Sequence, residues 1–152
     1  MGCFDDGNIT GWLRGGDAPW EAPSDEAYSG GCAAGSGAIG DGQESWLKGY
    51  VMGPRIVNFY WKVSSEPGDE LRFYIDDEYF AISGDVDWTL VSHYLDEERW
   101  YTIEWKYIKD YAGSGGQDKG WVDDVVVLPT PTPTLTPTST PTLTPTLTPT
   151  ST

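Results

Sequence analysis

Apolar and polar residues alternate with a period of two along several stretches of the chain. Over 55–65, Val57, Phe59, Trp61 and Val63 fall on one side while Asn58, Tyr60 and Lys62 fall on the other. This is the pattern of a strand with one buried face. It recurs with Leu71, Phe73 and Ile75 set against Arg72, Tyr74 and Asp76, and with Tyr101, Ile103, Trp105 and Tyr107 set against Thr102, Glu104 and Lys106. Gly, Pro or Asp turn chemistry closes each run. Shorter strands are predicted near 3–5, 11–13, 31–34, 45–50, 79–82, 88–94 and 121–128. No stretch carries a helical period. About ten short strands separated by turns predict an all-β chain folded as an antiparallel β-sandwich, since each sheet has an apolar face that must cover another.

The pattern changes abruptly after residue 128. From Pro129 to Thr152, Thr occupies every even position and Pro, Leu or Ser every odd one, with no charged or aromatic residue. Such a segment builds no core, so the chain divides into a compact domain, 1–128, and a stalk or linker, 129–152. Proline at the odd positions fixes φ and removes donors, favouring an extended polyproline II tail of roughly 75 Å at about 3.1 Å per residue. Extended Thr/Pro sequence is the composition of O-glycosylated stalks. The acceptors would be Thr130, Thr132, Thr134, Thr136, Thr138, Thr140, Thr142, Thr144, Thr146, Thr148 and Thr150. A plain spacer is the other reading. In a strand conformation one edge of this tail has lost its donors, so it would pair on one side only and end a sheet.

Charge narrows the partners. Lys and Arg number nine against 24 Asp and Glu, a net charge of −15, and all of them lie ahead of the tail. Nucleic acid and anionic membrane both need a basic surface, so neither is expected as a partner. Divalent cations suit such a surface better. No apolar run approaches the roughly 20 residues that span a bilayer, so direct membrane insertion is not expected either. Cys3 and Cys32 match no zinc pattern and are expected to pair as one disulfide in an oxidising, extracellular setting. Met1 is followed directly by Gly-Cys-Phe-Asp-Asp, without a basic and then apolar leader, so a signal peptide is expected to have been removed. Asn8-Ile9-Thr10 is an N-glycosylation sequon.

Several strings look familiar. Cys3-Phe4-Asp5-Asp6-Gly7-Asn8, then Gly11-Trp12 and Trp20, resemble the opening of MAM domains. Gly40-Asp41-Gly42-Gln43-Glu44-Ser45-Trp46-Leu47, Phe59-Tyr60-Trp61-Lys62-Val63, Leu71-Arg72-Phe73-Tyr74-Ile75-Asp76 and Trp121-Val122-Asp123-Asp124-Val125 resemble bacterial and archaeal relatives of that group. The resemblance implies a concanavalin-like jelly roll of the kind found in adhesion and carbohydrate-binding modules. Thr10 stands where the second cysteine of the animal MAM pair would be.

In a jelly roll the terminal strands lie close together, which would bring Asp5 and Asp6 towards Asp123 and Asp124 as ligands for a structural Ca²⁺. On a regular strand Asp123 and Asp124 point to opposite faces, so both could ligate only at a bulge or turn. Asn58, Tyr60, Lys62, Arg72, Tyr74 and Asp76 form the polar face of the long strands, with Glu104 and Lys106. Aromatic planes for sugar C–H faces and polar groups for sugar hydroxyls make this the candidate carbohydrate-binding surface. Trp20, Tyr79, Tyr94 and Trp100 read as loop-edge aromatics, Trp61 and Trp105 as core.

Catalytic equipment is sparse. His93 is the single histidine, and the Glu-x-Asp-x-x-Glu pattern of jelly-roll glucanases is absent. The expectation is a non-catalytic module at the cell surface or outside the cell, binding a glycan or a neighbouring surface protein. The alternative is a structural subunit that self-associates into an extracellular glycoprotein filament, its tail bridging subunits.

Overall fold

A computed structural model describes residues 9–24, 27–28, 33–111, 113 and 115–130. Within them lie nine strands and no helix: β1 (Ile9–Gly16), β2 (Ala34–Gly35), β3 (Glu44–Met52), β4 (Arg55–Ser64), β5 (Glu70–Ile75), β6 (Glu78–Ile82), β7 (Asp85–Leu95), β8 (Trp100–Ile108) and β9 (Lys119–Pro129). They form two antiparallel sheets, a five-stranded one ordered β1-β3-β8-β5-β6 and a four-stranded one ordered β2-β9-β4-β7. From β2 onward the chain changes sheet at every connection except the β5–β6 hairpin, the habit of a jelly roll.

The alternating runs supply the core. Phe59 and Trp61 from β4, Leu71 and Phe73 from β5, Ile103 and Trp105 from β8, and Leu47 and Val51 from β3 all point between the sheets and are buried. Trp105 sits at the centre, with Phe59 and Phe73 each at 5.2 Å and Trp12 at 6.2 Å between ring centroids. Gly49 falls at an inward position of β3, where a Cβ would come 2.7 Å from Ile9 Cγ2. Its bareness lets β1 fold Ile9 and Trp12 down onto the core.

Strand β9 departs from simple alternation. Val122, Val125 and Val127 all belong to the core, although 122 and 125 differ in parity. The ladder with β4 explains this: Asn58 pairs with Val126 and Tyr60 with Asp123, so one extra residue is inserted between them. Asp124 occupies that β-bulge with φ 51° and is turned to the exterior. Without the bulge, alternation from Val122 would drive a carboxylate into the core.

The expected strands 45–50, 79–82, 88–94 and 121–128 correspond to longer elements, β3, β6, β7 and β9. The strand expected at 3–5, the cysteines Cys3 and Cys32, the sequon at Asn8 and the tail threonines from Thr132 onward lie outside the described residues. Pro129, the first residue of the predicted stalk, still pairs with Arg55 as the end of β9.

Candidate functional site

The polar residues of the long strands do not share one face. Asn58, Tyr60 and Lys62 lie on β4, in the four-stranded sheet, whereas Arg72 and Tyr74 lie on β5, in the five-stranded sheet. Each group points outward from its own sheet, so the single six-residue surface expected from sequence is two surfaces on opposite sides of the sandwich. Alternation reports which residues face out, not which sheet a strand joins.

On the four-stranded sheet the expected residues are already engaged. Tyr28 lies flat on Tyr60, with ring centroids 3.7 Å apart and planes 11° apart, and Trp88 meets Tyr28 edge-on. The neighbouring Tyr28 hydroxyl pushes the Tyr60 phenol above its ordinary range. Asn58 Oδ1 accepts a 2.5 Å hydrogen bond from Ser92 Oγ, and Lys62 stands 3.9 Å from Asp87 and over the Trp121 ring. Asp123 is buried on this side. Its Oδ2 accepts from the Tyr28 N–H at 2.8 Å and its Oδ1 from the Asp124 N–H at 2.7 Å. Asp123 thus pins the segment carrying Tyr28, and Asp124 leaves by the bulge. The remaining members of the expected calcium set, Asp5 and Asp6, fall outside the described residues.

The outer face of the five-stranded sheet is more open. The ladders align two rows across it. One runs Leu13, Lys48, Glu104, Tyr74, Tyr79; the other runs Gly15, Trp46, Lys106, Arg72, Ala81. Five strands at about 4.8 Å spacing make each row roughly 19 Å long. Trp46 on β3 and Tyr74 with Tyr79 on the far side flank a floor of Lys106 and Glu104 from β8.

Each aromatic is held by a neighbour. The Trp46 indole lies over Gly15, where a Cβ would come 2.6 Å from Cζ2, and Lys48 Nζ stands 4.8 Å from its ring centroid. Tyr74 and Tyr79 sit 5.1 Å apart. Arg72 binds the pair together: its Nη1 donates to the Tyr74 hydroxyl at 3.0 Å, its Nε donates to Glu70 Oε1 at 2.8 Å, and its guanidinium covers Tyr79 at 4.4 Å. Lys106 Nζ lies 3.8 Å from Glu44 and 3.9 Å from Glu104, and 5.1 Å from the Tyr74 ring. Burial between these strands pushes the Glu104 carboxyl above the usual carboxylate range. The face therefore offers apolar planes fixed by cations, with donors and acceptors between them.

Asp76 has a different task. It sits in the β5–β6 turn at φ 54°, its Oδ1 accepting from the Thr102 N–H at 3.0 Å and its Oδ2 meeting Arg99 Nη1 at 3.0 Å. Both oxygens hold the turn to β8. Trp20, expected at a loop edge, is wholly buried, its Nε1 donating to Ser45 O at 2.9 Å. Tyr79, Tyr94 and Trp100 are exposed as expected. His93 packs on Phe80 at the open edge of the sandwich, and burial lowers its pKa. Trp46, Lys48 and Gly15 are not among the sequence candidates. Their signal is present in the alternation of Trp46, Lys48 and Tyr50 on β3, but nothing in the sequence aligns β3 with β8.

The solved structures that share this architecture include the following two. One is TmCBM61 in complex with β-1,4-galactotriose, with a TM-score of 0.55 and 17% identity over 82% of this chain and 92% of that one. The fold is shared with a carbohydrate-binding module. The other is the secreted serine protease VesC from Vibrio cholerae, with a TM-score of 0.57 and 15% identity over 81% of this chain but 25% of the protease. No protein-family model and no curated protein matches the sequence. Among the described residues no helix is long and apolar enough to cross a membrane.

Proposed function

We propose that this chain is a non-catalytic, extracellular carbohydrate-binding module that takes a glycan on the outer face of its five-stranded sheet. The observation that carries the reading is the pair of rows in which Trp46 and the Tyr74–Tyr79 pair flank the Lys106–Glu104 floor. Amphipathic ring faces accept sugar C–H surfaces, and the charged groups between them suit hydroxyls. The shared fold with a module solved in complex with β-1,4-galactotriose supports the same direction. The Thr/Pro segment that begins at the end of β9 would then hold the module away from a cell surface, its threonines carrying sugar.

Binding to a panel of soluble polysaccharides that includes β-1,4-galactan, measured by affinity electrophoresis and calorimetry, tests this. Trp46→Ala and Tyr74→Ala should each weaken retention about tenfold or more, the equivalent of about 1.4 kcal/mol. Tyr60→Ala, on the opposite sheet, should leave it unchanged. A module that retains no glycan, or one whose binding depends on Tyr60 and not on Trp46, would overturn the assignment.

A further inference from the structure

Two of the outward side chains of β3 are aromatic, and each lies against a glycine of the edge strand beside it. Trp46 covers Gly15. Tyr50 covers Gly11, where a Cβ would come 2.9 Å from Tyr50 Cδ2. Gly11 has φ 67° and falls in the irregular stretch of β1 between Thr10 and Leu13, so the bulge presents bare backbone to the Tyr50 ring. A side chain at either glycine would lift the ring above it. Strand β1 thus seats both rings on the sheet and leaves them half-buried.

The file of aromatics continues onto β8. Met52 pairs with Trp100, which shares the outward parity of Thr102, Glu104 and Lys106 and is 55% exposed. From the Trp46 row through Tyr50 to the Trp100 row, at about 3.4 Å per residue, the three aromatics cover roughly 20 Å of sheet. This direction follows the strands and is perpendicular to the rows that end on Tyr79 and Ala81. A single sugar covers one such ring. Three rings in file suit several consecutive sugars of an extended chain.

Charge selects among such chains. Beside the aromatics, Lys48, Lys106 and Arg72 are matched by Glu44, Glu104 and Glu70, with Lys106 3.8 Å from Glu44 and Arg72 2.8 Å from Glu70. The face is balanced while the whole chain carries −15, so the surrounding field repels polyanions and no surplus of cations draws one in. Building on the glycan-binding reading of this face, we propose that it takes an internal stretch of a neutral, linear polysaccharide laid along β3 and β8. Trp46, Tyr50 and Trp100 are its successive stacking positions, and Thr102 and Glu104 serve hydroxyls between them.

Affinity electrophoresis and calorimetry of the full chain test this with β-1,4-galactan, β-1,4-mannan and xylan, with their oligosaccharides, and with polygalacturonate. For the neutral polysaccharide retained, affinity should rise about tenfold or more from disaccharide to polymer. Tyr50→Ala and Trp100→Ala should each weaken the polymer about tenfold without lowering the melting temperature. Trp100→Ala, which removes an exposed side chain, serves if Tyr50→Ala does not fold. Polygalacturonate should not be retained. If Trp46→Ala and Tyr74→Ala weaken retention while Tyr50→Ala and Trp100→Ala bind as wild type does, glycan binding on this face stands and the axis along β3 is overturned. Equal affinity for disaccharide and polymer, or tighter binding of polygalacturonate, overturns it as well. Retention of none of these glycans overturns both the axis and the glycan reading.

Discussion

Replacing Lys109 with Met removes the ammonium that serves two carboxylates. Lys109 and Asp69 both have fully buried side chains, so the Asp69 charge left behind has no bulk water to turn to. Breaking a buried pair from one side costs about 3–5 kcal/mol, because the orphaned charge rather than the lost attraction dominates. Asp118 adds little, since its side chain is 27% exposed and can be resolvated. For a domain of about 130 residues, with about 2.1 cal/mol/K of unfolding entropy per residue, that cost lowers Tm by roughly 10–20 °C. Circular dichroism melts of the wild type and Lys109→Met read this directly. Lys109→Met combined with Asp69→Asn should recover a large part of the loss, since the Asn carbonyl can still accept the Asp110 N–H. A Tm for Lys109→Met within about 4 °C of wild type, equivalent to about 1 kcal/mol, would refute the reasoning, because Asp69 would then have found another partner.

Gly15→Ala should push the Trp46 indole off its seat and weaken glycan binding about tenfold, a displacement of about 1–2 kcal/mol, while leaving Tm nearly unchanged on this edge strand; calorimetry and a melt together check it. Tyr107→Phe removes the 2.7 Å hydrogen bond from its buried hydroxyl to Asp118 and should cost about 1–2 kcal/mol in a denaturant titration. Glu104 has a raised pKa in the folded state, so folding binds its proton and stability falls as pH rises through that value. Glu104→Gln should accordingly gain stability relative to wild type at pH 7, and the gain should vanish as pH falls below the ordinary Glu range. Asp123→Ala should free the segment holding Tyr28 and expose the Tyr60 ring, seen as faster amide exchange at Tyr28 and quenchable tyrosine fluorescence.

The alternating runs make the core legible in the sequence. Period alone assigns Phe59, Trp61, Phe73 and Trp105 inward, because burial on one face of a strand leaves no other arrangement. Sheet membership is not legible in the same way. Strands β4 and β5 follow each other in sequence yet enter different sheets, which splits the expected sugar face in two. Trp20 misleads for a related reason: flanked by Pro19 and Glu21 it reads as loop, but its donor is satisfied by Ser45, distant in sequence and adjacent only in the fold. Glu66, Asp69 and Asp110 come together from loops about 40 residues apart, a proximity that no local pattern encodes.

The Asp124 bulge bears on what can follow β9. The run Val125, Val126, Val127, Leu128 is apolar throughout, so composition alone would permit either parity to face the core. The extra residue at 124 decides between them from within the strand, ahead of its last pairing at Pro129. The phase of the final strand is therefore fixed upstream of the Thr/Pro segment. Val125 and Val127 thus take their inward places by a feature of β9 itself.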